Sequence, residues 1–163
     1  MTAEAPAGRR TVKVPTATPP GWVNALVKGL LRTPGLQSWL GRRLALITWT
    51  GRRSGRRYTT PVSYYRSDGR VIVLTKRFRP WWHNFAEQPE VELRLAGRTV
   101  QGRAGAHVDD EAYLPLLIEY LEHNTVDAKA YGVSLDDDGR LDERDARALL
   151  SQVVVVEITL DQS

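Results

Sequence analysis

Leu46-Ile47-Thr48-Trp49-Thr50-Gly51-Arg52-Arg53-Ser54-Gly55-Arg56-Arg57-Tyr58-Thr59-Thr60-Pro61-Val62 is the stretch whose reading decides the fold. Runs of Thr, Val, Ile and aromatic residues flank a short segment with two glycines and four arginines. β-Branched and aromatic side chains suit a pleated, half-buried surface, and the glycines permit a tight bend. The stretch therefore reads as strand, turn, strand, with the strands running from Leu44 to Thr50 and from Tyr58 to Arg66.

Downstream, Ser67-Asp68-Gly69 is a tight hairpin turn, because Asp-Gly tolerates the positive φ angles such turns need. Val71 to Thr75 returns as a third strand. Pro80 to Gln88 makes one or two helical turns, stopped by Pro89. Val91 to Leu95 and Arg98 to Val108 form a second hairpin about Ala96-Gly97. Asp109 is expected to cap a helix through His123, with Asp110 and Glu111 near its positive end. Residues 124–140 read as irregular, Leu141 to Leu150 as a short helix, and Val153 to Thr159 as the last strand.

Upstream, Gly21 to Arg32 places Trp22, Val23, Leu26, Val27, Leu30 and Leu31 on one face, an amphipathic helix. Thr33-Pro34-Gly35 interrupts it, and a short helical piece through Leu36, Trp39 and Leu40 follows. Residues 1–20, with four prolines, read as a mobile tail. The expectation is one domain over residues 21–163. It is mainly β with flanking helices (α+β), a small barrel of about six antiparallel strands.

Composition narrows the chemistry. The 163 residues, 42% hydrophobic, support one domain with a sizeable core. The absence of Cys removes thiol catalysis, disulfides and thiolate metal sites, and is compatible with a reducing compartment. No apolar run approaches the roughly 20 residues that span a bilayer. Arg9-Arg10 is not followed by an apolar export segment, so a cytoplasmic location is expected.

The net charge of +4 hides an asymmetry. Residues 1–80 carry 16 Lys and Arg against two acids, giving +14, and residues 81–163 carry 7 against 17, giving −10. The front half can offer an anion site and the back half cannot. Only four of the 23 basic residues are Lys, and the planar fork of Arg suits phosphate and carboxylate.

Those arginines crowd the first turn. Gly51, Arg52, Arg53, Ser54, Gly55 and Arg56 combine backbone N–H groups, a hydroxyl and guanidiniums, the parts of an anion cradle. From composition alone the turn is either that cradle or a solvated basic hairpin tip. Pro80-Trp81-Trp82-His83-Asn84-Phe85 adds aromatic side chains for a ring system and an amide that donates or accepts. The same aromatics also suit a core plug.

The two motifs together resemble the deazaflavin-dependent nitroreductase family. The first is similar to its G-R-x-S-G-x-x-R-x-x-P signature. The second is similar to its P-x-W-Y-x-N-L…N-P-x-V segment, with Trp82 at the Tyr position and Phe85 at the Leu position. The resemblance covers about Leu44 to Val108. It implies a split β-barrel of the FMN-binding kind and a turn that grips a cofactor phosphate.

The implied cofactor is coenzyme F-420, a deazaflavin with an anionic tail, with FMN as the alternative. Its implied contacts are Gly51 to Arg56, Thr59, Thr60 and Pro61 beside the ring, Trp81 and Asn84. The loop Thr75-Lys76-Arg77-Phe78-Arg79 is shorter than the Gly-rich stretch usual in the family, and Lys76 and Arg77 are expected to supply anion binding there.

The implied activity is hydride transfer to a quinone, a nitroaromatic or a similar conjugated small-molecule acceptor. Ser63, Tyr65 and Tyr131 are the candidate catalytic proton donors. The competing reading is a split-barrel binder of FMN or a lipid-like carboxylate without redox turnover.

Other classes find less support. No nucleic-acid motif is present, and the acidic back half would repel a long polyanion. His83, His107 and His123 are far apart in sequence, so no metal site is expected. Ser134 to Asp145 partly resembles a calcium loop, but it lacks the first Asp and the final Glu and reads as an acidic turn capping the next helix. The 21–32 helix, with Lys28 and Arg32, offers peripheral membrane contact, and the protein is expected to be a monomer or homodimer.

Overall fold

The computed structural model describes residues 12–16, 21–30 and 43–161. The proposed break at 33–35, the helical piece through Leu36, Trp39 and Leu40, and most of the proposed tail lie outside the described residues. Helix α1 spans Gly21–Leu30. Seven strands follow: β1 (Leu44–Thr50), β2 (Arg57–Ser63), β3 (Tyr65–Ser67), β4 (Arg70–Lys76), β5 (Glu90–Leu95), β6 (Arg98–Val108) and β7 (Val153–Leu160). A 3-10 helix at Pro80–Phe85 joins β4 to β5. A 3-10 turn at Glu111–Tyr113 and helices α2 (Leu114–His123), α3 (Thr125–Ala130) and α4 (Glu143–Leu150) lie between β6 and β7.

All pairings are antiparallel, in the order β2-β1-β5-β6-β7-β4-β3. The two edge strands, β2 and β3, are consecutive in the chain and separated by Tyr64 alone. The expected single strand from Tyr58 to Arg66 therefore breaks at Tyr64. Its first part pairs with β1 and its second with β4. One strand serving both ends of a sheet requires the sheet to curl, and the result is a half-barrel. Both hairpin turns form as expected, with positive φ at Asp68 and Gly69 and at Ala96 and Gly97.

Strand alternation builds two cores. On β4, Val71 and Val73 face the barrel interior, and Ile72 and Leu74 face the helices. On β7, Val154, Val156 and Ile158 face inward, and Val153 and Val155 face outward. Burial on both faces explains why these strands are unbroken apolar runs in the sequence. The outer core is completed by Leu117, Tyr120 and Leu121 of α2 and by Ala146, Leu149 and Leu150 of α4.

Three expectations need correction. The helix-side cap is Asp110, whose carboxylate accepts the Ala112 N–H at 3.0 Å, while Asp109 takes positive φ and pairs with Arg77. Within 124–140 a short helix, α3, buries Ala128 in the outer core. Residues 12–16 of the proposed tail are docked. Val12 is buried in the outer core, and Gln152 bonds the backbone of both Val12 and Val14. The alternation Val12, Val14 gives this segment an apolar face that the surrounding prolines obscure. The acidic run does cap a helix: Asp142 accepts the N–H groups of Arg144 and Asp145 at the start of α4.

Candidate functional site

A cleft of about 520 Å³ opens between the β1–β2 turn and the 3-10 helix. Its lining comprises Trp49, Gly51, Arg52, Arg53, Ser54 and Tyr58 from the first wall and Pro80, Trp81, His83 and Asn84 from the second. The size suits a small ligand or cofactor.

The turn is closed by its own backbone. The Gly51 N–H donates to the Arg56 carbonyl at 2.8 Å, and the Gly55 N–H donates to the Gly51 carbonyl at 2.8 Å. The Arg56 N–H donates to Ser54 Oγ at 3.3 Å, and the Arg52 N–H to Asn84 Oδ1 at 3.1 Å. Gly55 has φ +66, a conformation glycine adopts at little cost. Two consecutive amides, those of Arg53 and Ser54, have no acceptor among the described residues. Adjacent free N–H groups at a turn tip form an anion-binding concavity.

Charge reinforces it. Arg57 pairs with Glu92 at 3.5 Å, but Arg52, Arg53 and Arg56 are exposed and make no ion pair with any described residue.

The other half of the cleft is aromatic. Trp49, buried to 6% exposure, meets Tyr58 at 5.8 Å in a stacked arrangement and Trp81 at 5.5 Å. Phe85 sets its ring edge-on to both indoles. The Tyr58 hydroxyl lies 3.0 Å from Ser54 Oγ. A Cβ on Gly51 would lie 2.6 Å from the Tyr58 ring and 2.7 Å from Ser54 Oγ, so only glycine lets the phenol lie on the turn. The indole N–H of Trp49 is buried without an acceptor among the described residues. An apolar, flat wall beside a positive, donor-rich turn can hold a molecule that carries both a planar ring and a phosphate.

Gly51, Arg52, Arg53, Ser54, Trp81 and Asn84, named from the sequence, come together here, with Gly55 and Arg56 on the same turn. Strand pleating divides the next group. Thr60 pairs with Ile47 on the face that carries Trp49, Tyr58 and Val62. Thr59, Pro61 and Ser63 point to the opposite face, where Thr59 Oγ1 lies 2.9 Å from Thr48 Oγ1.

The remaining candidates stand on the helix side. Tyr65 pairs with Ile72, and its hydroxyl donates to Glu119 at 2.8 Å while its ring stacks on His123. That hydrogen bond, with burial and the Glu119 charge, pushes the phenol up to about 12. Tyr131 is buried and donates to the Leu74 carbonyl at 2.9 Å. Lys76 bonds the Pro15 carbonyl, and burial and then Arg79 lower its affinity for a proton. Arg77 pairs with Asp109 at 2.8 Å and donates to the Ser151 carbonyl. None of these four lines the cleft.

Trp49, Tyr58, Pro80 and His83 do line it, and sequence reasoning did not assign them to the site. Period-2 spacing gave a usable signal for Tyr58, because it pairs directly with Trp49 across the hairpin. Tyr58 also occupies the position at which the family signature has its second Arg. Among the described residues no group of three or more His, Asp or Glu could hold a metal ion.

The described helices include none long and apolar enough to cross a membrane. No curated protein matches this sequence. Among solved structures, an FAD-binding protein from Mesorhizobium loti aligns at TM-score 0.51 with 13% identity, over 77% of this chain and 84% of that one. An FAD and heme binding protein from Mycobacterium smegmatis aligns at 0.50 with 13% identity, over 80% and 67%. A protein of unknown function from Agrobacterium tumefaciens aligns at 0.50 with 18% identity, over 81% and 57%. At these identities the likeness shows the fold, a split β-barrel. A family model described as F420H(2)-dependent quinone reductase matches residues 30–137, well over half the chain and both walls of the cleft. The chain thus belongs to the F420H(2)-dependent quinone reductase family, a family of oxidoreductase enzymes.

Proposed function

We propose that this protein binds reduced coenzyme F-420 in the cleft between the β1–β2 turn and the 3-10 helix, and reduces a quinone or a comparable conjugated acceptor such as a nitroaromatic. The observation that carries the reading is the turn tip: two adjacent free amides beside three guanidiniums that have no carboxylate partner among the described residues. A cofactor phosphate satisfies both, because oxygen acceptors take the N–H groups and its charge offsets the guanidiniums.

Gly51 to Arg56 form the anchor. Trp49, Tyr58 and Trp81 form the wall against which a ring packs, and Thr60 shares their face of the sheet. The bound deazaflavin supplies the hydride. The chain's share is to bind, orient and exclude water. Reducing a quinone to a hydroquinone takes one hydride and one proton, and the cleft lining includes one phenol, Tyr58, and one imidazole, His83. Ser63, Tyr65 and Tyr131 would act from outside it. They are better read as part of the scaffold.

The test is a fluorescence titration of the purified protein with oxidised coenzyme F-420 and, separately, with FMN. It is followed by quinone reduction under reduced cofactor. Deazaflavin binding that weakens on loss of Arg53, with turnover, supports the reading. Preference for FMN reassigns the cofactor, and binding of neither removes the reductase proposal.

A further inference from the structure

Asn84 is where the two walls of the cleft are joined. Its Oδ1 accepts the Arg52 N–H at 3.1 Å, and its Nδ2 donates to the Trp81 carbonyl at 2.8 Å. Among the described residues no other hydrogen bond crosses from the turn to the 3-10 helix. One planar carboxamide thus ties the backbone of the cradle to the residue whose indole packs on Trp49.

The crossing also settles which turn amides stay free. Gly51, Gly55 and Arg56 are bonded within the turn, and Arg52 is bonded to Asn84. Without Asn84 the Arg52 amide would be a third unbonded donor, and the tip would lose its tether to the helix.

We propose that Asn84 is a positioning residue. It spends its carboxamide on the protein, limits the cradle to the Arg53 and Ser54 amides, and fixes the separation between the anion site and the aromatic wall. That separation matches the protein to a ligand whose phosphate and ring are spaced accordingly. The inference rests on the cofactor reading of the cleft. It differs from that reading in taking Asn84 away from direct ligand contact.

Amide hydrogen exchange in the ligand-free protein, followed by NMR, separates the two roles. A direct ligand contact leaves the free protein's Arg52 amide unchanged when it is removed, and a clamp does not. In Asn84→Ala the Arg52 amide should exchange about tenfold faster, with the β1–β5 ladder at wild-type rates. Affinity for oxidised coenzyme F-420 should fall on the order of tenfold, the scale of one hydrogen bond. Asn84→Asp keeps the acceptor, so Arg52 protection should stay within about twofold of wild type, which separates a lost clamp from a damaged fold.

Wild-type exchange at Arg52 in Asn84→Ala overturns the proposal. Faster exchange with unchanged affinity overturns it too. If the wild-type protein binds no deazaflavin, the cofactor reading falls. Inorganic phosphate then probes the cradle, and the proposal stands or falls on phosphate affinity and Arg52 exchange together.

Discussion

Replacing Arg53 with Glu reverses one charge at the tip of the cradle while leaving the backbone in place. Arg53 is exposed and pairs with no described carboxylate, so no ion pair among the described residues depends on its guanidinium. Two unit charges about 4 Å apart interact by about 1 kcal/mol in water and by about 4 kcal/mol at an effective dielectric constant near 20. An open turn lies toward the water end. The substitution removes an attraction and adds a repulsion, about 2 kcal/mol together, and a lost charge-assisted hydrogen bond adds about 1.5 kcal/mol.

At about 1.4 kcal/mol per factor of ten, Kd for coenzyme F-420 should rise between about thirtyfold and a few hundredfold. The gap should narrow as salt shortens the screening length below about 8 Å. Tm should move by no more than about 2 °C, because the site is on the surface and the change relieves repulsion with Arg52 and Arg56. The assay is a fluorescence titration of both proteins at two ionic strengths, paired with thermal melts. An unchanged Kd, or a collapsed melt with Kd unchanged, refutes the anchor.

Gly51→Ala drives a methyl into the Tyr58 ring and Ser54 Oγ, so it should displace the phenol from Trp49; a shifted tryptophan emission and weaker cofactor binding are the readouts. Tyr131→Phe removes a buried donor to the Leu74 carbonyl and should cost about 1 kcal/mol, roughly 2–4 °C in Tm, with cofactor affinity unchanged; a tenfold loss of affinity would return Tyr131 to the site. Tyr65 titrates near 12 in the folded protein against 10.0 when unperturbed. Its contribution to stability is complete below pH 10 and lost as pH rises toward 12, and Tyr65→Phe should flatten that limb of a melt-versus-pH curve.

The hairpins and the position of the basic turn were legible because each rests on a local signal. Asp68-Gly69 and Ala96-Gly97 declare their turns, whereas the burial of β4 and β7 on both faces went unread although both are unbroken apolar runs. The break at Tyr64 was not legible. Val62, Tyr64 and Tyr65 all favour extended backbone, and the change of partner from β1 to β4 is a property of the closed topology. The docking of Val12 was hidden for the same reason: its hydrogen-bond partner Gln152 lies 140 residues away in sequence, and the outer core is assembled from elements far along the chain. Lys76 and Arg77 looked like anion ligands by charge, yet each is consumed by a tertiary tether, to Pro15 and to Asp109.

The three candidate proton donors all stand outside the cleft, and their placement bears on the chemistry. Ser63 is one residue beyond Val62, and a single step along a strand exchanges the barrel interior for the opposite face. Tyr65 is aligned with Ile72, and Tyr131 reaches Leu74, so both tyrosines belong to the layer formed by α2, α3 and α4. Their hydroxyls already have acceptors, Glu119 and the Leu74 carbonyl, in that layer. The helices α2 to α4, drawn from the acidic back half of the chain, therefore brace the outer face of the sheet, while the basic turn and the indoles lie at its rim. Substitutions in the helix layer should move Tm and leave cofactor affinity alone, and substitutions at the rim should do the reverse. A protein arranged this way presents its ligand with amides, guanidiniums and rings rather than a buried acid and base, and such a site suits a reaction whose reactive atoms the cofactor brings.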